Sequence, residues 1–167
     1  KTSVLDLARD AAQERNLAVA SARGSDLEVA YAWGVVRQLF EPRLRGMSAG
    51  ARSRTLAGAA ALAGPVVLPE TAPSAVEPDT SFGVLHGLYW LVVNLAERGP
   101  LVLAVDDAHW ADEPSLRFLL HLAHRLAGMP VVLALTVRTG ADKHRPDLGA
   151  LMLEARPPIL RPPDSSK

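Results

Sequence analysis

Two unbroken apolar runs stand out in the second half of the chain. Residues 101–105 (LVLAV) and 131–135 (VVLAL) lack the polar alternation of a strand with one solvated face, which predicts strands covered on both faces. A run of small residues at 17–22 (LAVASA) predicts a shorter third strand. Apolar residues recur at helical spacing between these runs. The alternation predicts an α/β fold with an open parallel sheet flanked by helices.

Helical periodicity and prolines divide the rest of the chain. The predicted helices are residues 2–15, a stripe from Val29 to Phe40 ending before Pro42, a weaker segment at 48–62, then 81–97, a stripe at 116–127, and 148–155. Prolines at 65, 69, 73 and 78 predict an irregular loop over 64–79. We expect one domain over 1–156 and a Pro-rich tail over 157–167 that leads to further domains. Because the chain opens on Lys1 rather than Met, we expect a piece of a longer protein.

Composition excludes several classes of function. Eighteen basic and eighteen acidic residues cancel, so the chain has no surplus charge to attract nucleic acid or an anionic membrane. It has no cysteine, which excludes disulfides and Cys-based zinc sites. No stretch approaches the roughly 18 to 20 apolar residues of a membrane span. We therefore expect a cytoplasmic protein that does not enter the membrane.

The run 101–105 ends in two adjacent carboxylates, Asp106 and Asp107. Carboxylates at the end of a buried strand need a cation, a basic residue or a polarised water beside them. An apolar strand followed by Asp-Asp has the form of a Walker B element, whose first acid holds Mg²⁺ and whose second orients or deprotonates the attacking water. The alternative for such an acid is a helix cap. Asp112, followed by Pro114, is the better candidate for that role.

The first two residues, Lys1 and Thr2, open the first predicted helix. The P-loop motif GxxxxGK[ST] ends in this way, with its lysine on the β- and γ-phosphates of a nucleotide and its hydroxyl on magnesium. One helix, one strand and about a hundred residues separate this dipeptide from the acid pair, which suits a P-loop NTPase.

The stretches KTSVLDLARDAA, AYAWGVVRQLFEP, SFGVLHGLYWLVVNLAERGPLVLAVDDAHWADEPSLRFLLHLAHRL and VVLALTVRTG resemble the AAA-like, STAND-class ATPase domain of large ATP-binding LuxR-family transcriptional regulators. The resemblance covers most of the chain. It implies a switch that binds ATP with Mg²⁺ and, in the intact parent, hydrolyses it slowly. It also implies DNA contact through a separate C-terminal helix-turn-helix domain.

The resemblance assigns roles residue by residue. Lys1 matches the Walker A lysine that contacts phosphate, and Thr2 and Asp106 match the residues that hold Mg²⁺. Asp107 matches the acid that activates water. Arg138, after the third strand, matches the sensor arginine that approaches the γ-phosphate.

The Walker A glycines and the strand before them are absent from the chain. In the family's sheet the missing strand is central and lies next to the sensor strand, so the resemblance implies that the strands at 17–22, 101–105 and 131–135 pair in that spatial order. The last strand would expose an apolar edge through which the chain self-associates. Without the glycine cradle, we expect the isolated chain to bind ATP weakly or not at all, and not to hydrolyse it.

Histidines and aromatic residues have simpler interpretations. His121 and His124 fall on the polar side of their helix with no further ligand at metal-binding spacing, which predicts a solvated face. Aromatic side chains at helical spacing among aliphatic neighbours are predicted to lie in the core: Trp33, Phe40, Tyr89 and Trp90. For His109 and Trp110, beside the acid pair, packing of the loop and contact to nucleotide both stay open.

Two other classes of protein can be weighed. A phosphoacceptor receiver domain needs its acid pair on the first strand and an Asp ending the third, whereas the strand after the pair ends here in Thr136. A degenerate NTPase fold that acts as a scaffold without nucleotide stays open, although Asp106, Asp107 and Arg138 speak against degeneration.

Overall fold

The computed structural model describes residues 4–27, 29–71, 82–138 and 145–154. Within these ranges the chain forms three strands and seven α-helices. The strands are β1 (Ala18–Arg23), β2 (Leu101–Asp106) and β3 (Val131–Leu135). The helices are α1 (Val4–Glu14), α2 (Gly34–Arg45), α3 (Ala49–Thr55), α4 (Gly64–Val67), α5 (Phe82–Ala96), α6 (Glu113–Ala123) and α7 (Pro146–Glu154). Short 3₁₀ segments span Gly58–Ala63, Pro69–Thr71 and Ala108–Trp110.

The three strands form one parallel sheet in the order β1-β2-β3, which confirms the predicted α/β class and strand order. Residues 101–105 of β2 are all buried, as expected of a strand with neighbours on both sides. β3 pairs with β2 alone among the described residues, and its Val132 side chain is 57% exposed. The register places Arg23, at the end of β1, opposite Asp106.

A single apolar core joins the helices to the sheet. Phe40 of α2 and Phe118 of α6 meet edge to face with ring centroids 5.9 Å apart. Helix α5 packs against the segment Gly58–Ala63 so closely that a Cβ on Gly87 would lie 2.7 Å from the backbone nitrogen of Ala63. Only glycine permits this approach, so the contact holds α5 at a fixed distance from that segment.

Several predicted boundaries are wrong. The stripe predicted from Val29 forms a helix only from Gly34, and the predicted segment 48–62 divides into α3 and a 3₁₀ segment. Helix α2 continues through Pro42 instead of ending before it, because buried Phe40 and Leu44 anchor the helix on both sides of the proline. In the predicted loop 64–79, residues 64–71 instead form helix α4 and a 3₁₀ turn, with Val66 and Val67 buried. Apolar burial outweighs the proline signal there. Residues 72–79 and the Pro-rich tail 157–167 lie outside the described residues.

Trp33 and Phe40 are fully buried and Tyr89 packs partly buried against the core, as predicted, but Trp90 is 39% exposed. The core prediction for Trp90 is wrong, because its indole Nε1 donates a hydrogen bond to Nε2 of His86 at the surface, 3.0 Å away.

His121 is not solvated as predicted. Its ring lies edge-on to those of Phe82 and Tyr89, and its Nε2 atom is buried with no hydrogen-bond partner among the described residues. Burial lowers the pKa of His121, and the positive charge of Arg125 adds to the shift. His124 is exposed, as predicted. In the described part of the chain no cluster of three metal-binding side chains occurs, and no helix is long and apolar enough to cross a membrane.

Candidate functional site

The acid pair lies at the carboxyl edge of the sheet, where β2 ends. Thr136, the residue after β3, reaches across, and its hydroxyl donates a hydrogen bond to Oδ1 of Asp106. The same hydroxyl accepts a hydrogen bond from the backbone N–H of Asp107, 2.8 Å away. Backbone bonds from Thr136 N to Val105 O (3.0 Å) and from Ala108 N to Thr136 O (2.9 Å) extend the strand pairing past the end of the sheet. Asp106 is therefore positioned by both its own strand and the neighbouring one.

Arg23 supplies the cation that the acid pair requires. Its Nε and Nη2 atoms donate to Oδ2 of Asp107 at 3.1 and 3.0 Å, and Nε lies 3.8 Å from Oδ2 of Asp106. Gln38 of α2 holds the backbone of Arg23 from the other side, through bonds of 2.9 Å to its N–H and 3.2 Å to its carbonyl. The Arg23 side chain is itself mostly exposed. Such an ion pair contributes little to stability and can open without disturbing the core.

The turn after Asp106 is tight. Asp107 has left-handed backbone angles (φ 49°, ψ 43°), which direct the chain into the 3₁₀ segment Ala108–Trp110. Gly24 lies directly against this turn, since its Cβ, if present, would be 2.4 Å from the carbonyl oxygen of Asp107. The N–H of Gly24 donates to the carbonyl of Asp106 at 2.8 Å. The residue that follows β1 thus packs against the turn that carries the acid pair and fixes its position.

Asp112 is a helix cap, as predicted, and it caps two helices. Its Oδ1 accepts from the N–H of Ser115 in α6 at 2.9 Å and from the N–H of Trp33 at 2.8 Å. Its Oδ2 accepts from the N–H of Val35 in α2 at 3.2 Å. The side chain of Ser115 continues the arrangement by accepting from the N–H of Val36. One buried carboxylate therefore joins the first turns of α2 and α6 behind the acid pair.

One carboxylate oxygen of the acid pair is suited to bind a magnesium ion. Oδ1 of Asp106 accepts the Thr136 hydroxyl, whereas Oδ2 accepts no hydrogen bond from a described residue. Magnesium in nucleotide sites needs one or two carboxylates and takes its remaining ligands from phosphates and water. Asp106 could therefore hold the ion, while Asp107 is bound to Arg23.

The other predicted site residues make no described contact with the carboxylates of the acid pair. Arg138 is exposed and makes no ion pair with a described carboxylate, although its backbone N–H is 3.4 Å from Nδ1 of His109. Lys1 and Thr2 lie outside the described residues. His109 is buried, with its carbonyl bonded to Arg145, and Trp110 is 40% exposed beside the acid pair. The geometry thus brings Asp106 and Asp107 together and leaves the roles of Lys1, Thr2 and Arg138 as predictions.

Arg23 and Thr136 are the site residues that sequence reasoning missed. Arg23 is the last residue of β1, and Thr136 is the first residue after β3. Both strands pair with β2. Since parallel strands end at the same edge, their positions were a usable signal.

A family model described as AAA ATPase domain matches residues 1–134. The chain belongs to the AAA ATPase domain family. This agrees with the sheet order and with an acid pair at the carboxyl edge of β2, which together describe a P-loop NTPase-like domain of the kind that binds nucleotide. Neither the curated proteins nor the solved structures contain a match to this chain.

Proposed function

We propose that this domain is the ATP-binding switch of a LuxR-type transcriptional regulator, with Asp106 holding Mg²⁺ and Asp107 activating water. Lys1 would contact phosphate, Thr2 would complete the magnesium shell, and Arg138 would sense the γ-phosphate. DNA contact would come from a separate helix-turn-helix domain, in keeping with the balanced charge of this chain.

The observation that carries the proposal is the unequal pairing of the two acids. Asp106 is fixed by Thr136, and its Oδ2 atom accepts no hydrogen bond although Nε of Arg23 lies 3.8 Å away, whereas Asp107 is held by that exposed arginine through two hydrogen bonds. A fixed acid suits a metal ligand. An acid on a releasable ion pair suits a base that acts in one state of a switch and not in another.

The direction of α1 supports the positions assigned to Lys1 and Thr2. The helix ends close to the start of β1, because the N–H of Leu17 bonds to the carbonyl of Ala12 at 2.9 Å. It packs against both β1 and β2 and reaches β1 through a three-residue connection, from which we infer that it runs antiparallel to the strands. Its first turn consequently lies toward the edge that carries Asp106.

The chemistry required of the chain's own residues is limited. Bound Mg-ATP supplies a γ-phosphate whose charge the ion neutralises. Asp106 would hold the ion, and Asp107 would accept a proton from the water that displaces ADP from the γ-phosphate, once Arg23 has released its Oδ2 atom. Hydrolysis that waits on this release is slow, as a regulatory switch requires.

The test compares three variants of the full-length regulator that carries this domain. Asp106→Asn should weaken Mg-ATP binding in calorimetry, and Asp107→Asn should keep binding but slow single-turnover hydrolysis by about 100-fold or more. Glu113→Gln is the matched control, since Glu113 is an exposed acid paired with Arg117. Unchanged hydrolysis and transcriptional response in Asp107→Asn would favour the alternative, a scaffold without nucleotide.

Two further proposals concern the isolated chain. It should not bind Mg-ATP with micromolar affinity, and titration calorimetry measures this directly. Its exposed β3 edge should support self-association, which Val132→Lys should reduce in sedimentation velocity because a charge on the edge opposes pairing.

A further inference from the structure

A groove of about 710 Å³ lies between α5 and the end of α3. It runs along the carboxyl-terminal half of α5, which leads through Gly99 and Pro100 into the start of β2. Asp106 ends the same strand. The groove therefore lies toward the opposite end of the sheet from the acid pair and forms no part of the site described above.

One wall of the groove is a row of side chains on α5. His86, Trp90 and Asn94 follow one another at intervals of four along α5, and Arg98 lies two residues past the end of the helix. His86 and Trp90 form an aromatic end of the groove, and the His86 ring orients the half-exposed indole of Trp90. Phe82, which is 70% exposed, stacks on His86 beside the groove. The exposed indole can take an apolar or aromatic side chain of a ligand.

The other end of the groove is cationic. Arg54, at the end of α3, and Arg98 both line it. Nη1 of Arg98 donates to Sδ of Met47, 3.7 Å away. Neither Arg54 nor Arg98 makes an ion pair with a described residue, even though Glu97 also lines the groove. Two unpaired guanidiniums against one carboxylate favour a ligand with negative charge.

The groove is held in shape by the backbone. Asn94 donates from Nδ2 to the carbonyl of Thr55 at 2.9 Å and thereby ties α5 to the end of α3. Gly58, with φ +63°, turns the chain beside it, and the small side chains of Ala57 and Ala59 leave the space between the walls open. A ligand would meet a preformed surface, which lowers the entropic cost of binding.

We propose that this groove binds a short acidic peptide segment of a partner protein, with an aromatic side chain at Trp90 and carboxylates at Arg54 and Arg98. Eight residues separate Trp90 from Arg98, which is just past the end of α5, and at the helical rise they span about 12 Å. An extended chain advances about 3.3 Å per residue, so about four residues span it. The wide mouth of the groove suits a peptide, since small-molecule sites enclose most of their ligand.

The test measures binding of fluorescein-labelled peptides to the chain by fluorescence anisotropy. The probe WGSGEE carries an aromatic residue four positions before its first carboxylate, and WGSGQQ and AGSGEE each lack one of the two features. We expect WGSGEE to bind at least about tenfold more tightly than either control. Equal binding of WGSGQQ would show that the groove recognises only the aromatic residue. Equal binding of AGSGEE would show that it recognises only the negative charge. Both results overturn the proposal, as does absence of binding.

Variants locate the binding. Replacing Arg54 and Arg98 together with Gln should weaken binding of WGSGEE by about tenfold or more, whereas Arg52→Gln on the same helix α3 should change it by less than about twofold. Ala57→Glu places a carboxylate in the groove without removing a packed side chain and should also weaken binding. Retention of full affinity in both groove variants would place the peptide elsewhere. Because none of these residues lies near Asp106, a negative result here leaves the proposed ATP switch untouched.

Discussion

Asp112 and the pair Asp106–Asp107 lie within seven residues of one another and are held by opposite kinds of partner. Asp112 is 2% exposed and accepts hydrogen bonds from three backbone N–H groups in two helices. The acid pair is partly exposed and is held mainly by the side chains of Arg23 and Thr136. Backbone donors are fixed by the fold, whereas side-chain donors can rotate away. The first carboxylate therefore serves stability, and the other two remain available for function.

The largest effect should follow from Asp112→Ala. It leaves three buried N–H groups without acceptors, and we expect a loss of about 3 kcal/mol or more in the free energy of unfolding, measured in urea. Asp112→Asn keeps one acceptor oxygen and should lose about half as much. If the Ala variant were as stable as the wild type, the contrast with the acid pair would be wrong.

Gly24→Ala should come next. The added Cβ would lie 2.4 Å from the Asp107 carbonyl and 2.9 Å from the backbone of Ala111, so the turn must shift, at a cost of about 2 kcal/mol. Thermal unfolding measures the loss. Gly64→Ala is the matched control, because its Cβ would meet nothing within 4 Å. Equal effects of the two substitutions would show that the turn does not pack closely against Gly24.

Thr136→Val should have a smaller effect on stability. It removes the hydroxyl bonded to Asp106 and Asp107 while keeping the shape of the side chain, and we expect a loss of about 1 kcal/mol in urea unfolding. Thr136→Ser, which keeps the hydroxyl, should stay closer to the wild type. A loss as large as that of Asp112→Ala would show that the contacts of the acid pair stabilise the fold as much as Asp112 does.

The smallest effect concerns His121 and pH. Burial holds its pKa below the ordinary value, so the unfolded chain takes up a proton at a higher pH than the folded chain does. The contribution of neutral His121 is present above the ordinary histidine pKa and is lost as pH falls through the lowered one. His121→Asn should therefore reduce the fall in Tm between about pH 7.5 and about pH 5.5. The exposed control His124→Asn should leave that fall in place.

The sheet was predictable because unbroken apolar runs identify strands buried on both faces even when the pairing of the strands is unknown. The order of the strands came from the family resemblance, and the cap at Asp112 came from the proline that follows it at position 114. The contacts at the acid pair were missed, because the strand predicted at 17–22 stopped one residue short of Arg23, which lies 84 residues before Asp107. The parallel register that brings them together is a property of the folded sheet. The continuation of α2 through Pro42 was missed for a similar reason, since a local signal was outweighed by burial of Leu44.

The left-handed backbone at Asp107 narrows the amino acids that can occupy this position. Aspartate, asparagine and glycine adopt such angles with little penalty, whereas glutamate and β-branched residues do so at greater cost. A longer acid, which would reach further toward a substrate, is thus disfavoured by the chain's own geometry. The reach of this carboxylate is set by the path of the main chain as much as by its chemistry.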